Sequence, residues 1–203
     1  NTHLDSRINL MKQYAACNFQ FDDCMENYFS VIDVPFNILY AEDLKHLATL
    51  ARELGDEAEA AMLSKRAKDV EKALRTYLWR EDKFKSFDTI NKHYIEVSTW
   101  AVFMPLYSGL LTRAEARKLI FTELLNEDTF KTPYGIPTTA QTELSFDPEE
   151  GFWRGPIWFA PHWFIYHGLK RYGYDELANT LRDNSRRLLE QSGFREQYNP
   201  TTG

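Results

Sequence analysis

Two apolar stripes, separated by a single glycine, restrict this chain more than any other feature. Phe36, Leu39, Tyr40, Leu44, Leu47, Leu50, Ala51 and Leu54 recur at three- and four-residue spacing. That spacing places them on one face of a helix. Asp33 stands where a helix cap belongs, and Pro35 suits a first helical turn. Gly55 follows the stripe as a C′ glycine would. Asp56, with Glu59 three residues on, opens a second stripe of Ala60, Leu63, Ala67, Val70, Leu74, Tyr77 and Leu78. The same grammar returns twice. Thr112 and Glu115 form a capping box for a helix reaching Leu125. An aromatic helix is expected from Pro156, at its first position, to Tyr172, and a last one from Asp175 to Gln191, closed by Gly173 and Gly193. No strand-length alternation appears. Helical hairpins in series, with long loops between them, predict an all-α chain of the α/α toroid or solenoid type. No sequence period marks a tetratricopeptide or ankyrin array.

The remaining stretches are less regular. Residues 1–23 allow a helix with Leu10, Met11 and Tyr14 on one face, and Glu26–Ile32 is mixed. Arg80–Lys92 reads as a loop or short hairpin around Phe84 and Phe87. Pro105 should break any helix through Glu96–Tyr107. Asn126–Glu150, with Pro133, Gly135, Pro137 and Pro148, is a long loop of the kind that carries function. A length of 203 residues fits one domain, residues 1–203. The net charge of -6 argues against a nucleic-acid partner. No apolar run approaches the roughly 20 residues of a membrane span. No signal-peptide pattern is visible, and the compartment stays open with the cytoplasm slightly favoured. The oligomeric state is not legible. The chain opens and closes mid-pattern, so a portion of a longer domain is expected. Cys17 and Cys24 make neither a disulfide framework nor a zinc motif, and two free thiols are expected.

Chemistry concentrates in two stretches, GFWRGPIW (Gly151–Trp158) and GFREQYNPTTG (Gly193–Gly203). They read as two lips of one sugar pocket. Trp153 and Trp158 offer indole faces, Arg154 a guanidinium for hydroxyls or a carboxylate, and Gly155 a sharp entry to the next helix. Glu196, flanked at alternate positions by Phe194 and Tyr198, suits a general base that activates water. The bland alternatives are a solvated loop carboxylate and a core tryptophan pair. Inverting glycoside hydrolysis needs a second carboxylate about 6.5–9.5 Å away. Asp5, Asp22, Asp23, Asp33, Asp147, Glu149 and Glu150 are available, the last three more plausibly decorating their loop and Asp33 a helix cap. His162 and His167, five apart, do not share a helix face well, and no HExxH occurs. Neither a metal nor a cofactor is expected. His46 and His93 are isolated.

These residues also carry a resemblance. The stretch FWRGPIWFAPHWFIYHGLKRYGYDELA, with GFREQYNPTTG after it, resembles the C-terminal part of the catalytic domain of glycoside hydrolase family 63 and its mannosylglycerate and glucosylglycerate hydrolase relatives. The WRGP(V/I)W motif is matched at Trp153–Trp158, and the F-x-E-x-Y-x-P-x-TG motif at Phe194, Glu196, Tyr198, Pro200, Thr202 and Gly203. YGIP at Tyr134–Pro137 and the helix beginning at Asp33 are similar too. The resemblance implies an (α/α)6 toroid, incomplete in this chain, and inverting hydrolysis of α-glucosides or α-mannosides, glucosyl- or mannosylglycerate among them. It makes Glu196 the general base and places Phe152, Trp153, Arg154 and Tyr198 at the sugar pocket. The family's acid lies in a G-x-D-N-x-P-R motif that is absent here. Asp5 in Leu4-Asp5-Ser6-Arg7 is the nearest string, and an acid upstream of Asn1 is expected instead. Two other readings stay open: a toroidal epimerase or lyase with a histidine base, and a non-catalytic module that binds carbohydrate or protein.

Overall fold

The structure is a computed structural model that describes residues 2–25 and 29–203. The chain divides into two compact units. The smaller comprises Asn1–Asp33 and Lys85–Ile95. It holds helices α1 (Thr2–Ala16) and α2 (Phe21–Met25) and an antiparallel three-stranded sheet. The sheet order is β1 (Val31–Ile32), β4 (Phe87–Asp88), β5 (His93–Tyr94). Phe87 pairs with Tyr94, and their rings meet edge to face at 5.1 Å. Cys17 and Cys24 are joined by a disulfide, which corrects the expectation of free thiols. Their Cα atoms stand 5.8 Å apart because the turn after α1 brings α2 back beside its end. Of the mixed stretch Glu26–Ile32, residues 26–28 lie outside the described residues.

The larger unit, Val34–Phe84 and Glu96–Gly203, carries the helical hairpins. Helix α3 (Val34–Glu53) packs along α4 (Glu57–Leu78), and the Asp56 carboxylate caps α4 by accepting from the Glu59 amide at 3.0 Å. A two-stranded ribbon follows, β2 (Trp79–Arg80) with β3 (Lys83–Phe84). The hairpin expected around Phe84 and Phe87 is therefore two ladders: Phe84 closes one and Phe87 belongs to the other. Pro105 marks a boundary, as expected. A 3-10 turn (Trp100–Phe103) precedes it, and α5 (Met104–Ser108) starts with it in the first turn. The Thr112–Glu115 capping box is formed, and α6 (Arg113–Leu119) runs on into a π turn (Ile120–Leu124).

Helices α7 (Phe159–Arg171) and α8 (Asp175–Ser192) form the last hairpin. Pro156 is not the first residue of α7. The helix begins three residues later, because Ile157 spends its backbone N–H and C=O on Tyr198 instead. Helix α5 lies between α3 and α7. The buried Glu42 of α3 ties these layers together. It pairs with Lys45 at 2.6 Å and with Arg171 of α7 at 3.7 Å, while Lys45 also reaches Glu71 of α4 at 2.5 Å. Arg171 in turn donates to the Ser108 carbonyl that ends α5. The buried core includes Ile38, Phe103, Leu106, Phe130, Ile165 and Leu169.

Candidate active site

The two lips meet through an antiparallel bridge. The Ile157 amide donates to the Tyr198 carbonyl at 2.8 Å, and the Tyr198 amide donates back at 3.0 Å. Ile157, Tyr198 and Leu188 of α8 form a buried cluster beneath them. Two further bonds tie the second lip to its surroundings: Asn199 donates to the carboxylate of Glu149, just before the first lip, at 2.7 Å, and the Tyr134 amide donates to the Pro200 carbonyl at 3.3 Å. Residues far apart in sequence are thus held in one register.

The first lip is a tight turn. The Asp147 amide donates to the Arg154 carbonyl, the Gly151 amide donates to the Asp147 carbonyl, and the Asp147 carboxylate accepts from the Glu149 and Glu150 amides. Asp147 and Glu149 therefore serve the loop. Phe152 holds the left-handed region at φ 56°, and its carbonyl accepts from the Trp158 indole at 2.9 Å. That bond helps fix Trp158 against Trp153, with centroids 4.2 Å apart and planes within 17°. Phe152 closes the edge of Trp158 at 4.9 Å. All three rings are half-buried, so the pair is neither core nor loose surface. Arg154 is half-buried beside them, its Nε facing the Gly151 carbonyl.

The second lip is stiff where it is anchored and open where it carries charge. The Tyr198 ring is only 3% exposed and stacks on Phe159 at 4.8 Å. Its hydroxyl donates to the Gly193 carbonyl at 2.8 Å and accepts from the Arg195 amide at 3.1 Å. Tyr198, expected to touch substrate, is in this structure a strut with ring and hydroxyl both committed to the protein. The Asn199 side chain accepts from the Thr201 and Thr202 amides and tightens the terminal turn. Glu196 is exposed on this frame, as is Phe194 at 95%.

Three residues of this region had not been singled out in the sequence. Trp100 extends the aromatic wall, 6.5 Å from Trp153 and stacked on Phe164 at 6.1 Å. Thr138 accepts from the Gly155 amide and donates to the Pro156 carbonyl, and Thr139 donates to the Trp153 carbonyl. The signal available was a Thr-Thr pair directly after YGIP and a Thr-Trp opening an apolar run. Of the histidines, His162 is buried with both ring nitrogens in hydrogen bonds, and His167 packs on Trp163 at 4.4 Å. Among the described residues no cluster of three His, Cys, Asp or Glu side chains is placed to hold a metal ion.

Helical hairpins in series, with an aromatic and carboxylate-bearing pair of loops pinned together at one site, match part of the (α/α)6 toroid class of fold. Residues 5–203 match the family described as mannosylglycerate hydrolase MGH1-like glycoside hydrolase domain, and the chain belongs to that family. It is 34% identical over 201 residues to a mannosylglycerate hydrolase of Rubrobacter radiotolerans, covering 96% of this chain and 44% of the relative. A mannosylglycerate hydrolase of Thermus thermophilus is 33% identical, with 86% and 41% covered. The crystal structure of a family 63 mannosylglycerate hydrolase from Thermus thermophilus in complex with Tris superposes with a TM-score of 0.84 at 28% identity, covering 95% of this chain and 46% of that one. The chain thus spans less than half the length of these relatives.

Proposed function

We propose that residues 1–203 are part of one catalytic domain and supply the water-activating side of an inverting α-glycosidase. The substrate is an α-glucoside or α-mannoside, with mannosylglycerate and glucosylglycerate the leading candidates. The observation that carries this reading is the Ile157–Tyr198 bridge. It locks the loop bearing exposed Glu196 to the stretch bearing the Trp153–Trp158 stack. In this reading the indole faces receive the sugar ring, and Glu196 removes a proton from the water that attacks the anomeric carbon. Arg154 faces the carboxylate of a glycerate aglycone. The leaving oxygen requires an acid. Asp5, exposed in the first turn of α1, lacks the flanking residues of the family motif, and we assign the acid to a part of the domain outside residues 1–203.

The epimerase or lyase alternative needs a histidine base. His162 holds no free nitrogen for that work. The test is hydrolysis by the complete protein of α-glucosyl and α-mannosyl substrates, with and without glycerate, followed by NMR of the first-formed anomer. The expected result is release of the β-anomer of the sugar. Release of the α-anomer would contradict inversion, and binding without turnover would favour a non-catalytic module.

A further inference from the structure

The YGIP loop is bonded to both lips. At one end the Tyr134 amide donates to Pro200 and its hydroxyl donates to Gln191. At the other, Thr138 and Thr139 hold the backbone of Trp153, Gly155 and Pro156, and the Thr138 carbonyl accepts from the Trp100 amide. Between these ends the loop has a buried anchor. The Ile136 amide points at His162 Nε2, 3.0 Å away, and His162 Nδ1 lies 2.8 Å from Ser185 Oγ of α8. The fit is close: a β-carbon on Gly135 (φ +145°) would fall 2.4 Å from the imidazole.

The bonding pattern selects the tautomer. With the proton on Nδ1, three bonds form at once: Ile136 N–H to Nε2, Nδ1–H to Ser185, and Ser185 O–H to the Leu181 carbonyl at 3.0 Å. With the proton on Nε2, the ring turns to the Ile136 carbonyl at 3.2 Å, the Ile136 amide loses this acceptor, and Ser185 must choose between the ring and Leu181. A buried amide without a partner is the rarer and costlier outcome.

We propose that His162 is a positioning residue for the sugar site: its neutral Nδ1–H imidazole, held by Ser185, accepts from the Ile136 amide and so fixes the loop that sets the aromatic wall and the second lip in register. The role in catalysis rests on the reading of the lips as a sugar site, whereas the role in the fold does not. His162 touches none of the reacting groups and acts through residues 134–139.

The experiment compares His162→Gln, His162→Leu and Ser185→Ala in the complete protein. Three quantities are read: exchange of the Ile136 amide by NMR, circular dichroism of the coupled tryptophans, and the split of any hydrolytic rate into kcat and KM. Glutamine keeps an oxygen near the Nε2 position. It should retain slow Ile136 exchange and the tryptophan signal, with kcat/KM within about threefold of the parent. Leucine removes the acceptor, which should speed Ile136 exchange by about tenfold or more, weaken the tryptophan signal and lower kcat/KM chiefly through KM. Should the leucine variant not fold, Ser185→Ala decides, because it frees the other tautomer and should speed Ile136 exchange by itself. Equal behaviour of the glutamine and leucine variants, or parental Ile136 exchange in Ser185→Ala, would overturn the proposal. A parent protein that hydrolyses no α-glycoside defeats the sugar-site reading, and exchange and dichroism still decide the anchor.

Discussion

At Gly155 the backbone sits at φ +155°, and a β-carbon there would lie 2.6 Å from the Asp147 carbonyl oxygen and 2.7 Å from its carbon. Both obstacles are backbone, so no rotamer change relieves them. Gly155→Ala is expected to destabilise the protein by at least about 2 kcal/mol and to reduce the dichroism of the Trp153–Trp158 pair. Thermal denaturation and near-ultraviolet spectra check both. At His162, burial pushes the imidazole down to about 4 from its ordinary value of 6.5. Between those values the unfolded chain binds a proton that the folded chain refuses. The contribution is therefore complete above pH 6.5 and is lost as pH falls towards 4, by up to about 3 kcal/mol. Besides the Ile136 amide and Ser185, the titratable or charged side chains sharing its groove are Tyr166, His167 and Arg182, with no carboxylate among them. Urea denaturation across this pH range should show a slope that His162→Gln flattens. An unchanged slope would mean that another group sets the acid limb.

At the scale of elements, the Glu42 carboxylate joins α3 to α7. It is buried between Lys45 of its own helix and Arg171 of α7, and Glu71 of α4 shares the lysine. Glu42→Ala would remove the ion pair that ties Arg171 of α7 to α3, while the Arg171 bond to the Ser108 carbonyl of α5 stays. A loss of about 2–3 kcal/mol is expected by denaturant unfolding, and a change within about 0.5 kcal/mol would show that the network is incidental. The helices themselves were legible. The Asp56 and Thr112 caps and the glycines at 55, 173 and 193 give α3, α4 and α8 nearly to the residue, with the start of α6 and the end of α7. The stripe read for α3 does not mark its buried face: Phe36, Leu47, Leu50 and Leu54 are exposed, and Ile38, Ala41, Leu44 and Ala48 are buried. The short ladders were not, because two-residue strands carry no alternation. β1 and β4 pair only because the chain returns. Pro156 misled for a related reason: its fit to a first helical turn is local, whereas the bridge that delays α7 is made with Tyr198. The disulfide depended likewise on a turn whose geometry the spacing of Cys17 and Cys24 does not reveal.

At the scale of the molecule, the two candidate lips were visible as motifs, and their union is supplied by the fold. Trp153, Trp158 and Glu196 stood out by residue type. Tyr198 stood out too, yet its place is under the loop. Trp100, Thr138, Thr139 and the anchoring role of His162 were illegible because each acts on backbone distant in sequence. The chain covers 44% of its Rubrobacter radiotolerans relative. What the chain does contain makes a sharp claim about one carboxylate. Glu196→Gln in the complete protein removes the proposed base while keeping the size of the side chain. Steady-state hydrolysis of the preferred α-glycoside, with binding measured alongside by calorimetry, tests it directly. A fall in kcat of about 10²–10⁴ is expected, with affinity kept within a few-fold. Undiminished kcat in that variant would contradict the claim.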